Sequence, residues 1–331
     1  MMRVGIIGTG LMGHTHAAAW AQTPAQLVGA TSKSWETAVS LTHQYGGQPY
    51  PDVASLLADV DVVDICAPTH RHYELTLQAA AAGKHVICEK PLARTLAQAA
   101  EMIAACAAAN VKLLVGHVVR FFPEYAQAKA EVDAGAVGEP AVIRLTRGSS
   151  RPGWATDNWL LDLEKSGGMM LDLMIHDFDY ARWVAGDVTR VFAKKVSSSG
   201  VSALAVDHGL AILTHRRGAI THVEGSWAYP APMFRTRLEI AGSNGLLQFD
   251  SEQMTAIRAH LRDAAAVSGS LPRSPLLEDP FTREIKAFYA HLTENAPLAV
   301  TAVDGYKALQ IALAAIESAQ TGQPVLLEEG A

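Results

Sequence analysis

Cysteine is scarce. The 331-residue chain has three, Cys66, Cys88 and Cys106, an odd number without metal-type spacing, which argues against a disulfide framework and a cysteine-built metal centre. Two lie in apolar strand-like runs and the third in an Ala-rich helical stretch, so buried thiols in a reducing cytoplasm are expected. Basic runs and aromatic-basic stripes are missing, and the formal charge is -6. These absences argue against nucleic acid and against an anionic membrane surface as partners. No uninterrupted apolar stretch is long enough to span a bilayer. The apolar segment behind Met1-Met2-Arg3, Val4 to Ile7, is too short for a signal peptide.

What is present describes a globular core: 49% hydrophobic and 18% charged residues, in a chain long enough for two domains. The first part alternates short apolar runs with helical periods. "RVGIIG" (3–8), "QLVGAT" (26–31), "VDVVDICAP" (60–68), "HVICEK" (85–90) and "VKLLVGH" (111–117) read as strands, the fourth of them ending in Glu89-Lys90-Pro91. Helical patterns separate them, beginning at Leu11, Trp35, His72 and Thr95. Such alternation predicts a mostly parallel sheet with helices on both faces.

After about Phe121 the pattern changes. A helix ("PEYAQAKAEVDAG", 123–135) and a run "AVIRLTRG" lead into a loop-rich segment, 148–168. Runs with antiparallel signatures follow, "VTRVFAKKV", "VDHGLAILTH", "AITHVEGSWAY", "TRLEIAG" and "GLLQFD", two of the links being the turn-like "RRG" and "SNG". A polar loop is expected over 262–276, then two helices from Phe281 and Ala302.

Gly8-Thr9-Gly10-Leu11-Met12-Gly13 is a G-x-G-x-x-G that directly follows a strand and opens a helix, the context in which a helix N-terminus faces a pyrophosphate. The fold expected is therefore an α/β Rossmann domain over residues 1–120. Residues 121–331 are expected to form an α+β domain for substrate binding and oligomerisation, with an open, largely antiparallel sheet. An acid usually grips the ribose about 20 residues after such a motif. Here the place reads Thr31-Ser32-Lys33-Ser34. A hydroxyl and a lysine accommodate a 2'-phosphate, which favours NADP over NAD.

The chain resembles the glucose-fructose oxidoreductase / inositol dehydrogenase / MocA (Gfo/Idh/MocA) family from Arg3 to "GQPVLLEE". The resemblance rests on "IGTGLMG", "APTHRH" (67–72), "EKPLA" (89–93), "GHVVRFFPEY" (116–125) and, most specifically, "GGMMLDLMIHDFDYARW" (167–183). It implies that Lys90, Asp172 and His176 are the catalytic set, and that the Lys90-Pro91 bond is cis. Ala67, Pro68, Thr69, His72, Glu89 and Lys90 are then expected beside the cofactor, with the glycine turn, Ser32 and Lys33. Thr69 stands where the family commonly has Asn.

The expected reaction is hydride transfer between a nicotinamide and a secondary hydroxyl or carbonyl of a cyclic polyol or sugar, inositol first. His176 suits the general base, Lys90 the charge developing on the reacting oxygen, and Asp172 lies four residues from His176, on one face if the segment is a single helix. Arg120 and Trp159 are candidate substrate contacts, but Arg120 and Tyr125 equally suit a support of the cleft or the domain junction, and Trp154 and Trp159 either an aromatic wall for substrate or buried packing. Glu89 either orients Lys90 or its loop, or is a solvated acid. Asp177 and Asp179 are read as solvated or capping. The H-x-H pairs His14/His16 and His70/His72 lack a local carboxylate or cysteine to complete a set, so no metal is expected. A homodimer or homotetramer through the second sheet is anticipated. The alternatives are another sugar-carbonyl reductase with tightly held cofactor and a non-catalytic NAD(P)-binding regulator.

Overall fold

The computed structural model describes residues 1–152, 156–196, 208–253, 258–261 and 278–327. Trp154 and the expected polar loop at 262–276 lie outside the described residues.

Residues 3–116 hold six strands: β1 (Arg3–Ile7), β2 (Gln26–Thr31), β3 (Gln48–Pro49), β4 (Val62–Ile65), β5 (His85–Glu89) and β6 (Leu113–Gly116). They pair in the order β3-β2-β1-β4-β5-β6, every pairing parallel. Helices α1 (Leu11–Trp20), α2 (Trp35–Tyr45), α3 (Val53–Asp59), α4 (His72–Ala81) and α5 (Leu96–Ala108) lie between the strands in sequence. Strands β4 and β6 are buried along their length, in keeping with their apolar composition. Strand order reverses between β1 and β4, which opens a crevice at their carboxyl ends.

Two elements here are absent from the sequence reading, β3 and α3. "HVICEK" is consequently the fifth strand in chain order, not the fourth. A two-residue edge strand containing Pro49 carries too little periodicity to be read.

Helix α6 (Pro123–Asp133) leads to the second sheet, β13-β12-β11-β7-β10-β9-β8-β14. Its strands are β7 (Pro140–Ser149), β8 (Val188–Val196), β9 (His208–His215), β10 (Ile220–Ser226), β11 (Phe234–Gly242), β12 (Gly245–Asp250), β13 (Arg258–Leu261) and β14 (Val325–Leu326). All pairings are antiparallel except β7 with β10. The segment expected to be loop-rich, 148–168, contains a 3-10 turn, Thr156–Leu161, and the short helix α7 (Leu163–Ser166), and a second short helix, α8 (Met169–Asp172), follows it. Helices α9 (Ile175–Ala185) and α11 (Ala302–Thr321) pack on one face of the sheet, against β7 and β8. Helix α10 (Pro280–Glu294) returns to α1, and its Ile285 and Phe288 share a core with Val4, Ile6 and Trp20. Among the described residues, no helix is long and apolar enough to cross a membrane.

The Asp172–His176 segment corrects an expectation. It is two helices, α8 and α9, broken at Leu173–Met174, where the Met174 amide reaches back to the Met169 carbonyl at 3.2 Å. The break follows from packing. A Cβ on Gly225 would stand 2.3 Å from Met174 Cγ, and one on Gly209 2.9 Å from Met170 Cε. Sheet glycines thus leave the hollow into which this methionine-rich turn settles.

Candidate active site

The site is assembled at the carboxyl ends of the parallel strands. The three motif glycines each meet a different demand. Gly8 has φ +100°, and a Cβ on it would lie 2.6 Å from the Cys66 carbonyl oxygen. A Cβ on Gly13 would lie 2.1 Å from the Gly8 oxygen, so helix and turn are in contact there. Gly10 has nothing within 4 Å of its Cβ position and caps α1 without a side-chain hydrogen bond, leaving the first amides of that helix open. Tight turn, close packing and an open amide cradle are what a dinucleotide pyrophosphate needs, so these residues fit the group. Thr9 Oγ1 donates to Thr37 Oγ1 at 2.6 Å, bracing the turn on α2, while Leu11 is exposed and Met12 half-buried.

At the end of β2, Ser32 Oγ accepts a long bond from Thr37 (3.4 Å), and Lys33, in solvent, pairs with Asp157 at 2.9 Å. Beyond β4, Ala67-Pro68 leads into a 3-10 turn opened by Thr69, whose hydroxyl is buried without a partner. The His72 ring is turned into the protein: Nδ1 lies 2.8 Å from the Pro91 carbonyl and Nε2 2.8 Å from that of Ala67. Burial lowers its pKa, so the neutral ring donates to one carbonyl at a time and staples the β4 and β5 exit loops together. His72 thereby braces the two exit loops, both of its ring nitrogens facing backbone carbonyls.

Lys90 follows β5, its bond to Pro91 cis. Its Nζ donates to the Asp172 carbonyl oxygen (2.7 Å) and to Asp172 Oδ1 (3.1 Å). Both side chains keep 15% of their surface exposed, mostly desolvated yet reachable. His176 is near enough for the Lys90 charge to act on it. Burial first, then Lys90, Arg147 and His117, hold its imidazole well below the ordinary value, hence neutral. Its Nδ1 has no hydrogen-bond partner, and Asp172, engaged by Lys90, does not orient the ring. His117, at the exit of β6, is buried with neither ring nitrogen hydrogen-bonded, Nδ1 standing 4.0 Å from Asp179 Oδ2, and burial lowers its pKa too.

Several expectations are corrected by burial. Glu89 is not a solvated acid: it is 6% exposed, its Oε2 accepts the Lys90 amide (2.9 Å) and its Oε1 lies 3.1 Å from His16 Nε2. Asp177 and Asp179 are neither solvated nor caps. Each is fully buried in a two-point pair, Asp177 with Arg147 (2.8 and 3.0 Å) and Asp179 with Arg120 (2.8 and 2.6 Å). Arg120 also donates to the Ala299 carbonyl at 2.6 Å, so its guanidinium ties α9 to the chain before α11 and is withdrawn from substrate. Tyr125 is buried under Arg147. Trp159 is half-buried in the 3-10 turn.

The His16 surroundings also differ from expectation, because Asp64 and Cys66 stand beside it, with candidate ligand atoms within 4.8 Å of one another. Asp64 already accepts from Trp20 Nε1 (2.8 Å) and lies 3.0 Å from His16 Nδ1, while burial pushes the Cys66 thiol up to about 12. A thiol and a satisfied carboxylate describe a hydrogen-bonded cluster. His117, Arg147, Asp64 and Glu284 were not assigned from sequence. His117 ends a parallel strand and Asp64 interrupts an apolar one, which are legible signals; Glu284 has none.

Comparison with known proteins agrees with this geometry. Residues 2–117 match the family described as "Oxidoreductase family, NAD-binding Rossmann fold", and residues 125–248 match the "GFO/IDH/MocA C-terminal domain". The myo-inositol 2-dehydrogenase of Thermotoga maritima is 33% identical, over 99% of either chain. The inositol 2-dehydrogenase of Rhizobium meliloti is 28% identical, over 96% of either chain. A levoglucosan dehydrogenase in complex with NADH and levoglucosan superposes with a TM-score of 0.88 at 25% identity, covering 99% of this chain and all of that one. With its glycine turn, parallel sheet and second sheet domain, the chain belongs to the Gfo/Idh/MocA family of NAD-binding oxidoreductases.

Proposed function

We propose that this protein is an NAD(P)-dependent dehydrogenase of a secondary hydroxyl on a cyclic polyol or sugar, inositol-like substrates first. The observation that carries the reading is the Lys90 ammonium, held by Asp172 with neutral His176 beside it, at the exit of β5, two strands along the sheet from the glycine turn that follows β1. A bound nicotinamide supplies the hydride acceptor. Lys90 hydrogen-bonds the reacting oxygen and stabilises the charge that develops as its proton leaves. His176, kept neutral, offers a lone pair for that proton. Asp172 fixes the ammonium, and its free lone pairs can hold a neighbouring substrate hydroxyl. The names of the relatives support the substrate class.

Ser32 and Lys33 favour NADP over NAD, with Lys33 passing from Asp157 to the 2'-phosphate. A cytoplasmic homodimer or homotetramer is the assembly we propose, joined through the second sheet, whose strands expose Leu210, Ile212, Ile220 and Phe234. The test is growth of reduced-nicotinamide absorbance with a polyol panel. Turnover on at least one cyclic polyol or sugar is expected; stoichiometric cofactor binding without turnover on any would favour a silent regulator.

A further inference from the structure

The buried cluster behind Lys90 has no role in the hydride and proton transfer proposed above, yet it reaches Lys90 through one residue. His16, on α1, is fully buried, with Nδ1 3.0 Å from Asp64 Oδ2 and Nε2 3.1 Å from Glu89 Oε1, the second contact close without being aligned as a hydrogen bond. Asp64 is fixed independently by Trp20. The other oxygen of Glu89 accepts the Lys90 amide at 2.9 Å. Strand β6 closes the remaining side, since a Cβ on Gly116 would stand 3.3 Å from Glu89 Cδ. The carboxylate next to Lys90 is therefore held by one ring on one side and one amide on the other.

We infer that His16 is a positioning residue for Lys90: by bridging Asp64 and Glu89 it fixes the carboxylate that holds the Lys90 backbone, and so aims the ammonium at Asp172 and the reacting oxygen. The consequence for turnover rests on the proposed dehydrogenase chemistry; the positioning itself does not. Facing His16 are Asp64 and Cys66 from β4 and its exit, Glu89 from β5, and Glu284 from α10, whose two oxygens are buried and unpartnered. Burial opposes a charge on His16, but Asp64 and its neighbours raise its pKa well above the ordinary value. Burial keeps the Cys66 thiol protonated, and burial with the Glu89 charge keeps Glu284 neutral, so His16 is the cation of the cluster. Without that cation Glu89 stays buried opposite Asp64 and must rotate or take a proton, and either change alters its bond to Lys90.

The test uses the full-length protein carrying H16Q, E89Q or both. Amide hydrogen exchange at Lys90 is expected to quicken at least tenfold in H16Q while Val86, Ile87 and Cys88 exchange as in the parent. With a turned-over polyol, H16Q should lower kcat about 10- to 100-fold at unchanged NADH affinity, and the double variant should be no slower than E89Q. Parental exchange at Lys90, a uniform rise along β5, or effects that multiply would overturn the inference. If H16Q does not fold, D64N loosens the same bridge from its other side, and Lys90 exchange decides in the same way. If no polyol is turned over by the parent, the proposed function fails while the exchange result still stands.

Discussion

At the scale of single residues, the roles proposed for Lys90 and His176 on one oxygen are separable. In that proposal Lys90→Met removes the charge that stabilises the developing alkoxide, and His176→Ala removes the proton acceptor. Either should lower kcat by about two to four orders of magnitude, while an NADH fluorescence titration gives the parental affinity. Retained turnover in either variant would remove that residue from the chemistry. Asp157 pairs through its carboxylate with Lys33, the residue proposed to favour NADP. A negative neighbour opposes a 2'-phosphate, so Asp157→Asn should move the kcat/KM ratio toward NADP by several-fold; an unchanged ratio would detach Lys33 from cofactor choice.

At the scale of elements, two buried arginine–aspartate pairs hold α9 in place, Arg147–Asp177 to β7 and Arg120–Asp179 toward α11. Breaking one leaves a buried guanidinium unpaired, so Asp177→Asn should cost about 3–5 kcal/mol in a denaturant titration. A loss under 1 kcal/mol would mean that Arg147 finds another partner. The strands and long helices were legible because their periods of two and 3.6 dominate local sequence: β2, β8 and β12 run over the residues read as strands, and α11 begins at the expected residue. The glycine turn and Lys90 were legible because each marks the exit of a readable strand. What escaped was set by tertiary contact. The α8–α9 break depends on Gly209 and Gly225, far off in sequence, and the burial of Asp177, Asp179 and Glu89 depends on cations from other elements. A local window contains none of these partners.

At the scale of the whole molecule, the buried titratable groups give stability a maximum. His72, His117, His176 and His215 have lowered folded pKa values, first because of burial. The unfolded chain binds protons there that the folded chain refuses, so their contribution is present above an ordinary imidazole value near 6.5 and falls away below it. His16 and Glu284 have raised folded values. They keep protons that the unfolded chain releases, and stability declines as pH climbs toward those folded values. Melting temperature against pH should therefore peak near pH 6.5 and fall on both sides; a monotonic profile from pH 5 to 9 would contradict these protonation states.

The most direct measurement is the appearance of reduced nicotinamide when the protein is given myo-inositol with NAD and, separately, with NADP, the parent run beside Lys90→Met. The proposed chemistry predicts steady growth with the parent, faster with NADP, and near silence with the variant. Equal rates for parent and variant would contradict it.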